Sequence, residues 1–518
     1  MVLTVGTTAV RGPRQANRAL VLLTLCFAVF CVNVSTTVVN IALPTLVREL
    51  DATTGDLLWI VDAFNLAFAA LVLAAGSLSD RFGRRPALIL GLAVFGAASL
   101  LGAWSDSPGE LILWRAVAGI AAAVVYPVTL SILANVFVER GERVRAIGIW
   151  GAATGLSVAA GPVVGGALVE NFWWGSILLF NGGAAVLTLL LAVALIPDSR
   201  DPSTPPIDIP GLVLSTTALG VLVYSIIEAP EHGWSSPHTL IGFAIAAVVL
   251  VAFVLQERRV EHPMLDVLLF TNLRFTAASG AVTSAFFALF GFIFLVTQYF
   301  QSVRGYGPLD TGLRILPVAI SLALFSLIGP RLAMALGSKA VVALGLASLS
   351  AAFFWASTIG QDTSYLGIVG QMVLLGGGLG LTSAPATEAI MGVVPPEKAG
   401  MGSAVNDATR ELGGTLGVAV IGSVSLSMYR DHLGHPPVPD ALIEPARESI
   451  GAAEEAARQA AEMGELARVA GEQVLALARE GFVQGFAIGC IVAGAVTAVA
   501  AILTLVYLPA HPISGDDT

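Results

Sequence analysis

GSLSDRFGRRP, Gly76 to Pro86, gathers Asp80, Arg81, Arg84 and Arg85 around Gly83, between two long apolar runs. A basic turn this short between hydrophobic segments reads as a cytoplasmic hairpin between membrane-spanning helices, because cytoplasmic loops carry the excess of Lys and Arg. Gly83 permits a tight turn, the arginines anchor it at the lipid headgroups, and Asp80 is an anion placed to find a helix N-terminus. A purely topogenic basic loop satisfies the same residues.

Working outward, apolar runs near the ~20 residues that span a bilayer recur along the whole chain. They fall at roughly 19–43, 57–78, 87–104, 110–137, 146–168, 175–196, 209–228, 239–256, 275–300, 311–333, 340–358, 365–390, 401–428 and 482–509. The fold expected is an all-α integral membrane protein of about fourteen transmembrane helices, as two six-helix bundles with two inserted helices. PDSRDPSTPPIDIP at 197–210 closes the first block, and QERRVEHPMLD precedes the last. The expected domains are 1–197, a linker with two extra helices at 198–272, and 273–518, the last including a loop at 429–480. Arg81, Arg84, Arg85, Arg140, Arg143, Arg145, Arg200, Arg258, Arg259, Arg274, Arg331, Lys339 and Lys398 fall on one side, which puts both termini in the cytoplasm.

The composition agrees. Of 518 residues, 56% are hydrophobic and 12% charged, against about 25% charged in soluble domains. Half of the net charge of −10 comes from one late segment, rich in Ala, Glu and Arg, at 430–480. That segment favours a solvated helix on the extracytoplasmic side. A helical hairpin over the outer mouth is one reading and an inert connector the simpler one. No basic stripe with interleaved aromatics supports nucleic-acid binding. Cys26, Cys31 and Cys490 lie in apolar runs without metal or disulfide spacing. GxSxG, HExxH and Walker patterns are absent from the sequence. An enzyme is not expected, and neither a metal nor another cofactor is implied.

Ionisable residues inside spans are functional candidates, since each costs about 2.5–3.5 kcal/mol at mid-bilayer on translocon scales. Asp62 in WIVDAFN and Arg115 in LILWRAVAGIAAA lie at similar depth, so an ion pair between them is expected, released when Asp62 is protonated. Asp407, Arg410 and Glu411 in GSAVNDATRELGG share a helix end, and Glu388 of the preceding span is expected to join them in a gate-holding cluster. Small residues in GAATGLSVAAGPVVGG, Gly151 to Gly166, allow close helix approach, with Pro162 kinking the axis.

TTVVNIALP at 36–44, WIVDAFNLAFAA, GSLSDRFGRR, LILWRAVAGIAAA, GAATGLSVAAGPVVGG, NFWWGSILLFN, TQYFQSVRGYGPLDTGLRILP and GSAVNDATRELGGTLGVAV occur in that order. Together they resemble the fourteen-span drug:proton antiporter branch of the major facilitator superfamily. The resemblance implies alternating access, proton antiport and export of hydrophobic, often cationic drugs or antibiotics across the plasma membrane, with protons, small substrates and lipid as partners. By that resemblance Gly76, Asp80, Arg81, Gly83, Arg84 and Arg85 are gating-loop positions, latching the two halves on the cytoplasmic side. Gly155, Gly161, Pro162, Gly165 and Gly166 are antiporter-motif positions. Asp62, Arg115, Asn33 and Ser35 form the proton-coupling and substrate set. Many members carry Asp where this chain has Ser35, which cannot take up a proton. Two other readings are an exporter dedicated to one metabolite or lipid, and a non-transporting receptor or scaffold on the same fold.

Overall fold

A computed structural model describes residues 18–199, 208–261, 263–394, 399–434 and 438–508, apart from a few side chains within those stretches. Hydrocarbon offers no partner for backbone polar groups, so each span satisfies its own by forming a helix. Among the described residues, fourteen helices are long and apolar enough to cross a membrane. The first bundle comprises α1 (Arg18–Leu50), α2 (Thr54–Phe82), α3 (Arg84–Gly102), α4 (Pro108–Val136), α5 (Arg140–Asn171) and α6 (Ser176–Leu195). Two inserted helices follow, α7 (Ile209–His232) and α8 (Pro237–Glu257). The second bundle holds α9 (Leu273–Gln298), α10 (Pro308–Leu336), α11 (Ser338–Ala356), α12 (Tyr365–Met391), α13 (Ala399–Leu433) and α16 (Glu465–Tyr507), with short helices α14 (Asp440–Glu448) and α15 (Ile450–Met463) before the last.

Helix starts are set by short polar residues. Thr53 and Asp56 form a reciprocal capping box at α2, while Ser107, Ser236 and Ser364 cap α4, α8 and α12. All four starts lie on the face that bears α14 and α15, the cap side. The Gly83 turn lies on the opposite, turn side.

The bundles meet along two seams, α2 against α13 and α5 against α10. α7 lies over the first seam, touching both α2 and α13. Trp234 Nε1 donates to Ser427 Oγ at 2.9 Å, and Trp59 and Tyr224 rings stand 6.3 Å apart. Among the described residues, the second seam has no such cover. Both seams are shut towards the cap side. Gln301 Nε2 donates to the Ile41 carbonyl at 2.9 Å, Glu170 accepts from Leu309 N at 2.9 Å, and Leu58 presses on Gly422. One hydrophobic core runs through these ends of α1, α2 and the second bundle, while a separate core fills the rest of the first bundle. Towards the turn side one face of α5 is open: Gly148, Gly151 and Gly155 face open space, and Ile149 and Leu156 are exposed.

The segment after α13 is not a plain connector. Its Ala-rich helices pack on α16, where Gly471 meets Ala457, and tie the two bundles together. Thr54 Oγ1 donates to the Glu448 carbonyl at 2.6 Å, Tyr429 Oη to the Ala446 carbonyl at 2.5 Å, and Arg479 Nε to the Ser302 carbonyl at 3.2 Å. Gly451 rests on Val47. Burial raises the Glu454 carboxyl above its ordinary range, although Arg479 opposes the shift from 3.5 Å. The sequence placed the start of the last span at residue 482; the helix begins at Glu465, because the Ala/Glu/Arg stretch runs into it without a break. Its 43 residues are about 64 Å long at 1.5 Å per residue, about twice the ~30 Å hydrocarbon, so the first turns stand clear of the membrane.

Candidate transport site

Arg115 is the largest side chain in the fully buried set, and its partners lie on three sides. Nε donates to the Ile60 carbonyl at 3.0 Å; Nη1 donates to the Ser35 carbonyl at 3.1 Å and to Ser35 Oγ at 2.9 Å. The guanidinium carbon sits 4.5 Å from the centre of the Phe64 ring, a cation–π contact. Asp62, fully buried, offers both oxygens to no donor among the described residues. The expected Asp62–Arg115 ion pair is therefore not formed. Ile60 and Ser35 hold Nε and Nη1 on the Phe64 ring, and Nη2, without a partner, does not reach the acid. Asn33 spends its amide on its own helix, donating to the Val29 carbonyl at 2.9 Å.

Two buried polar residues join the site that the sequence reading did not name. Asn65, three residues after Asp62 and so on the same face of α2, has neither amide atom partnered among the described residues. The D-x-x-N spacing in WIVDAFN was the available signal for Asn65. Tyr126 stands in an aromatic series: Phe64–Phe68 at 6.3 Å, Phe68–Tyr126 at 5.6 Å and Tyr126–Trp150 at 5.3 Å.

Asp407, Arg410 and Glu411 of α13 are buried or half-buried, and the two acids lie one turn apart as expected. Arg410 turns to Thr387, with Nη2 to Oγ1 at 3.2 Å, and to the Phe286 ring at 5.3 Å. Thr387 passes the chain on to Asn406 at 2.9 Å, and Asn406 to Asp407 at 3.4 Å. Glu388 does not join: it is exposed, because one residue along α12 from Thr387 turns it about 100° away.

Three glycines of the antiporter stretch, Gly161, Gly165 and Gly166, make the close approaches that small residues allow. A Cβ at Gly161 would overlap Thr37 Oγ1, one at Gly165 would lie 2.8 Å from Val38 Cγ2, and one at Gly166 2.5 Å from the Pro308 carbonyl oxygen. Across the seam, a Cβ at Gly312 would overlap the Pro162 carbonyl. Gly155 makes no such contact. At the turn, Gly83 adopts φ +121°, and a side chain would strain there. Arg84 N donates to the Ser199 carbonyl at 2.9 Å, and Arg85 reaches Asp198 at 3.3 Å and the Val193 carbonyl at 2.8 Å. Arg81 stacks 5.9 Å from the Phe82 ring, and Gly76 faces Pro127. These contacts join the turn to the end of α6 and the chain just after it. The Asp80 side chain lies outside the described residues.

The sequence profile described as Major Facilitator Superfamily matches residues 25–418. The chain belongs to this superfamily. It is 32% identical over 488 residues to Multidrug resistance protein Stp of Mycobacterium tuberculosis (strain CDC 1551 / Oshkosh), covering 93% of this chain and 90% of that one. It is 33% identical over 496 residues to Multidrug efflux pump LfrA of Mycolicibacterium smegmatis, covering 95% and 96%. Among solved structures, a bacterial homologue of the human lysosomal transporter Spinster, inward-facing and occupied, shares the fold at TM-score 0.69 and 16% identity, over 96% of this chain and 98% of that one. The protein is thus a multi-pass membrane transporter of the superfamily, with two six-helix bundles and two inserted helices.

Ser35 sets up a direct test. Ser35→Asp puts a carboxylate where Ser35 Oγ now meets Arg115 at 2.9 Å. Supplying a buried cation with a counter-ion should raise the melting temperature, and Arg115→Met should erase the gain. A double-mutant cycle is expected to show coupling of about 1–3 kcal/mol. Additive effects would mean that the two positions do not interact.

Proposed function

We propose that the protein exports hydrophobic, cationic compounds of the drug and antibiotic type in exchange for protons, by alternating access. One observation carries this reading: the bundles are sealed at the cap side and apart at the turn side, with Asp62 buried between those levels and free of a partner among the described residues. A carboxyl so placed can hold a proton or a cation. Moving the bundles about the central site then presents it to each side in turn. The names of the similar proteins support drug export.

The orientation proposed puts the turn side in the cytoplasm, both termini with it, and the cap outside the plasma membrane. Arg81, Arg84, Arg85, Arg143, Arg145, Arg258, Arg259, Arg274, Arg331 and Lys339 support it, since they lie at turn-side helix ends. In intact cells expressing a protein without native cysteines, an impermeant thiol reagent should label Ala457→Cys and spare Ser79→Cys. For function, purified protein in liposomes should exchange ethidium, and an imposed pH gradient should drive its accumulation. Exchange that ignores the gradient would remove proton coupling; no exchange of ethidium or related cations would remove drug export.

A further inference from the structure

Two acids meet away from the transport site, at the turn-side base of the α7–α8 hairpin. Asp208 precedes α7 and caps it, Oδ1 accepting from Gly211 N at 3.0 Å and from Gln256 Nε2 at 3.2 Å. Glu257 closes α8, and its Oε2 accepts from Leu265 N at 2.8 Å. The remaining oxygens, Asp208 Oδ2 and Glu257 Oε1, have no donor among the described residues, although the two residues are only 6% and 3% exposed. We propose that these two oxygens hold one proton between them, and that this proton fastens the base of the hairpin to the connector leading into α9. The inference stands apart from the export reading above.

Three observations converge on this assignment. Both free oxygens point at one place: a β-carbon at Gly211 would lie 2.4 Å from Glu257 Oε1 and 2.5 Å from Asp208 Oδ2, so the glycine leaves the space in which they meet. The surroundings then select the ligand. Among the described residues, the groups acting on Glu257 are Asp208 and the backbone of Leu265 and Met264, with no cation beside it. Neighbouring buried carboxyls without a cation cannot both ionise. A bound calcium ion takes about six to eight oxygens, whereas two acceptors suit a single hydrogen. The third observation is position. The chain enters α7 from the first bundle at Asp208 and leaves α8 for the second through Leu265, which packs on the core shared with that bundle. With the proton in place, α7, α8 and the connector form one unit. Without it two negative charges adjoin and the base parts. Since α7 touches both α2 and α13, pH on the turn side sets how firmly the cover of that seam is held.

Nitroxide labels on Val213→Cys and Leu268→Cys, both exposed positions, report the base of the hairpin by pulsed electron paramagnetic resonance. The measurement uses purified full-length protein without native cysteines, at about pH 5.5 and about pH 8.5, where a shared proton is held and then released. The parent should show one short separation in acid and at least fivefold more of a longer one in alkali. Glu257→Gln turns an amide N–H towards Asp208 Oδ2 and keeps an oxygen for Leu265 N, so it should hold the short separation at both pH values. Asp208→Asn keeps an oxygen for Gly211 N, offers its amide to Glu257 Oε1, and should behave alike, which guards against an artefact of one variant. A parent that does not respond to pH would overturn the shared proton. A parent-like response in both amide variants would assign the titration to another group and overturn it as well. If Mg²⁺ or Ca²⁺ restores the short separation of the parent in alkali, the acids form a metal site and the proposal is overturned too.

Discussion

Asp62→Asn should fold, exchange substrate downhill, and fail to concentrate it. Asn is isosteric and neutral, and neither Asp62 oxygen has a partner to lose among the described residues. The consequence falls on coupling, because an amide cannot carry a proton. If one proton exchanges for one monovalent cation, no net charge moves, and the membrane potential of about 2.3 kcal/mol per charge per 100 mV adds nothing. The driving force is then the pH gradient alone. One unit supplies about 1.4 kcal/mol, sufficient for about tenfold accumulation. Proteoliposomes carrying the parent should approach that ratio, and those carrying Asp62→Asn should stay near unity while still exchanging labelled substrate at equilibrium. Uphill uptake by the variant at the parental rate would remove Asp62 from the coupling step. Arg115 does not compensate, being held by Ile60, Ser35 and Phe64 rather than by the acid.

That arrangement marks the boundary of what the sequence discloses. Depth in the bilayer was legible, because hydrocarbon forces a helix and hydropathy fixes where it starts and stops. The fourteen spans, the Gly83 turn and the approximate level shared by Asp62 and Arg115 follow from that single solvent. Azimuth was not. Whether Arg115 meets Asp62 or Ser35 depends on how α1, α2 and α4 rotate against one another, and no residue type encodes that rotation. Glu388 and Thr387 make the same point on α12: adjacent in sequence, one is exposed and the other bonds Arg410. The cap escaped for another reason. A solvated Ala/Glu/Arg helix needs no partner to account for its composition, so its packing on α16 and its bond to Thr54 leave little trace in the letters.

Gly312→Val should shift the protein towards a state open at the cap side. A β-carbon at 312 would fall on the Pro162 carbonyl, and both parties are backbone, so neither can swing aside as a long side chain would. Overpacking of this kind costs about 1–3 kcal/mol, comparable with the few kcal/mol that separate transporter states. The sealed state should therefore lose about 5–150-fold in relative population. Leu58 reports the change, since it is buried and meets Gly422 of the other bundle at the cap side. With native cysteines removed, Leu58→Cys should react slowly with an impermeant maleimide in the parent and at least fivefold faster beside Gly312→Val. Export should fall, because a pump held open on one side cannot complete the cycle. Gly155→Val is the matched control: it adds the same bulk to α5 at a position facing open space, and should leave both labelling and transport near the parental level. Equal labelling in the two variants would mean that the Pro162–Gly312 contact does not hold the seal.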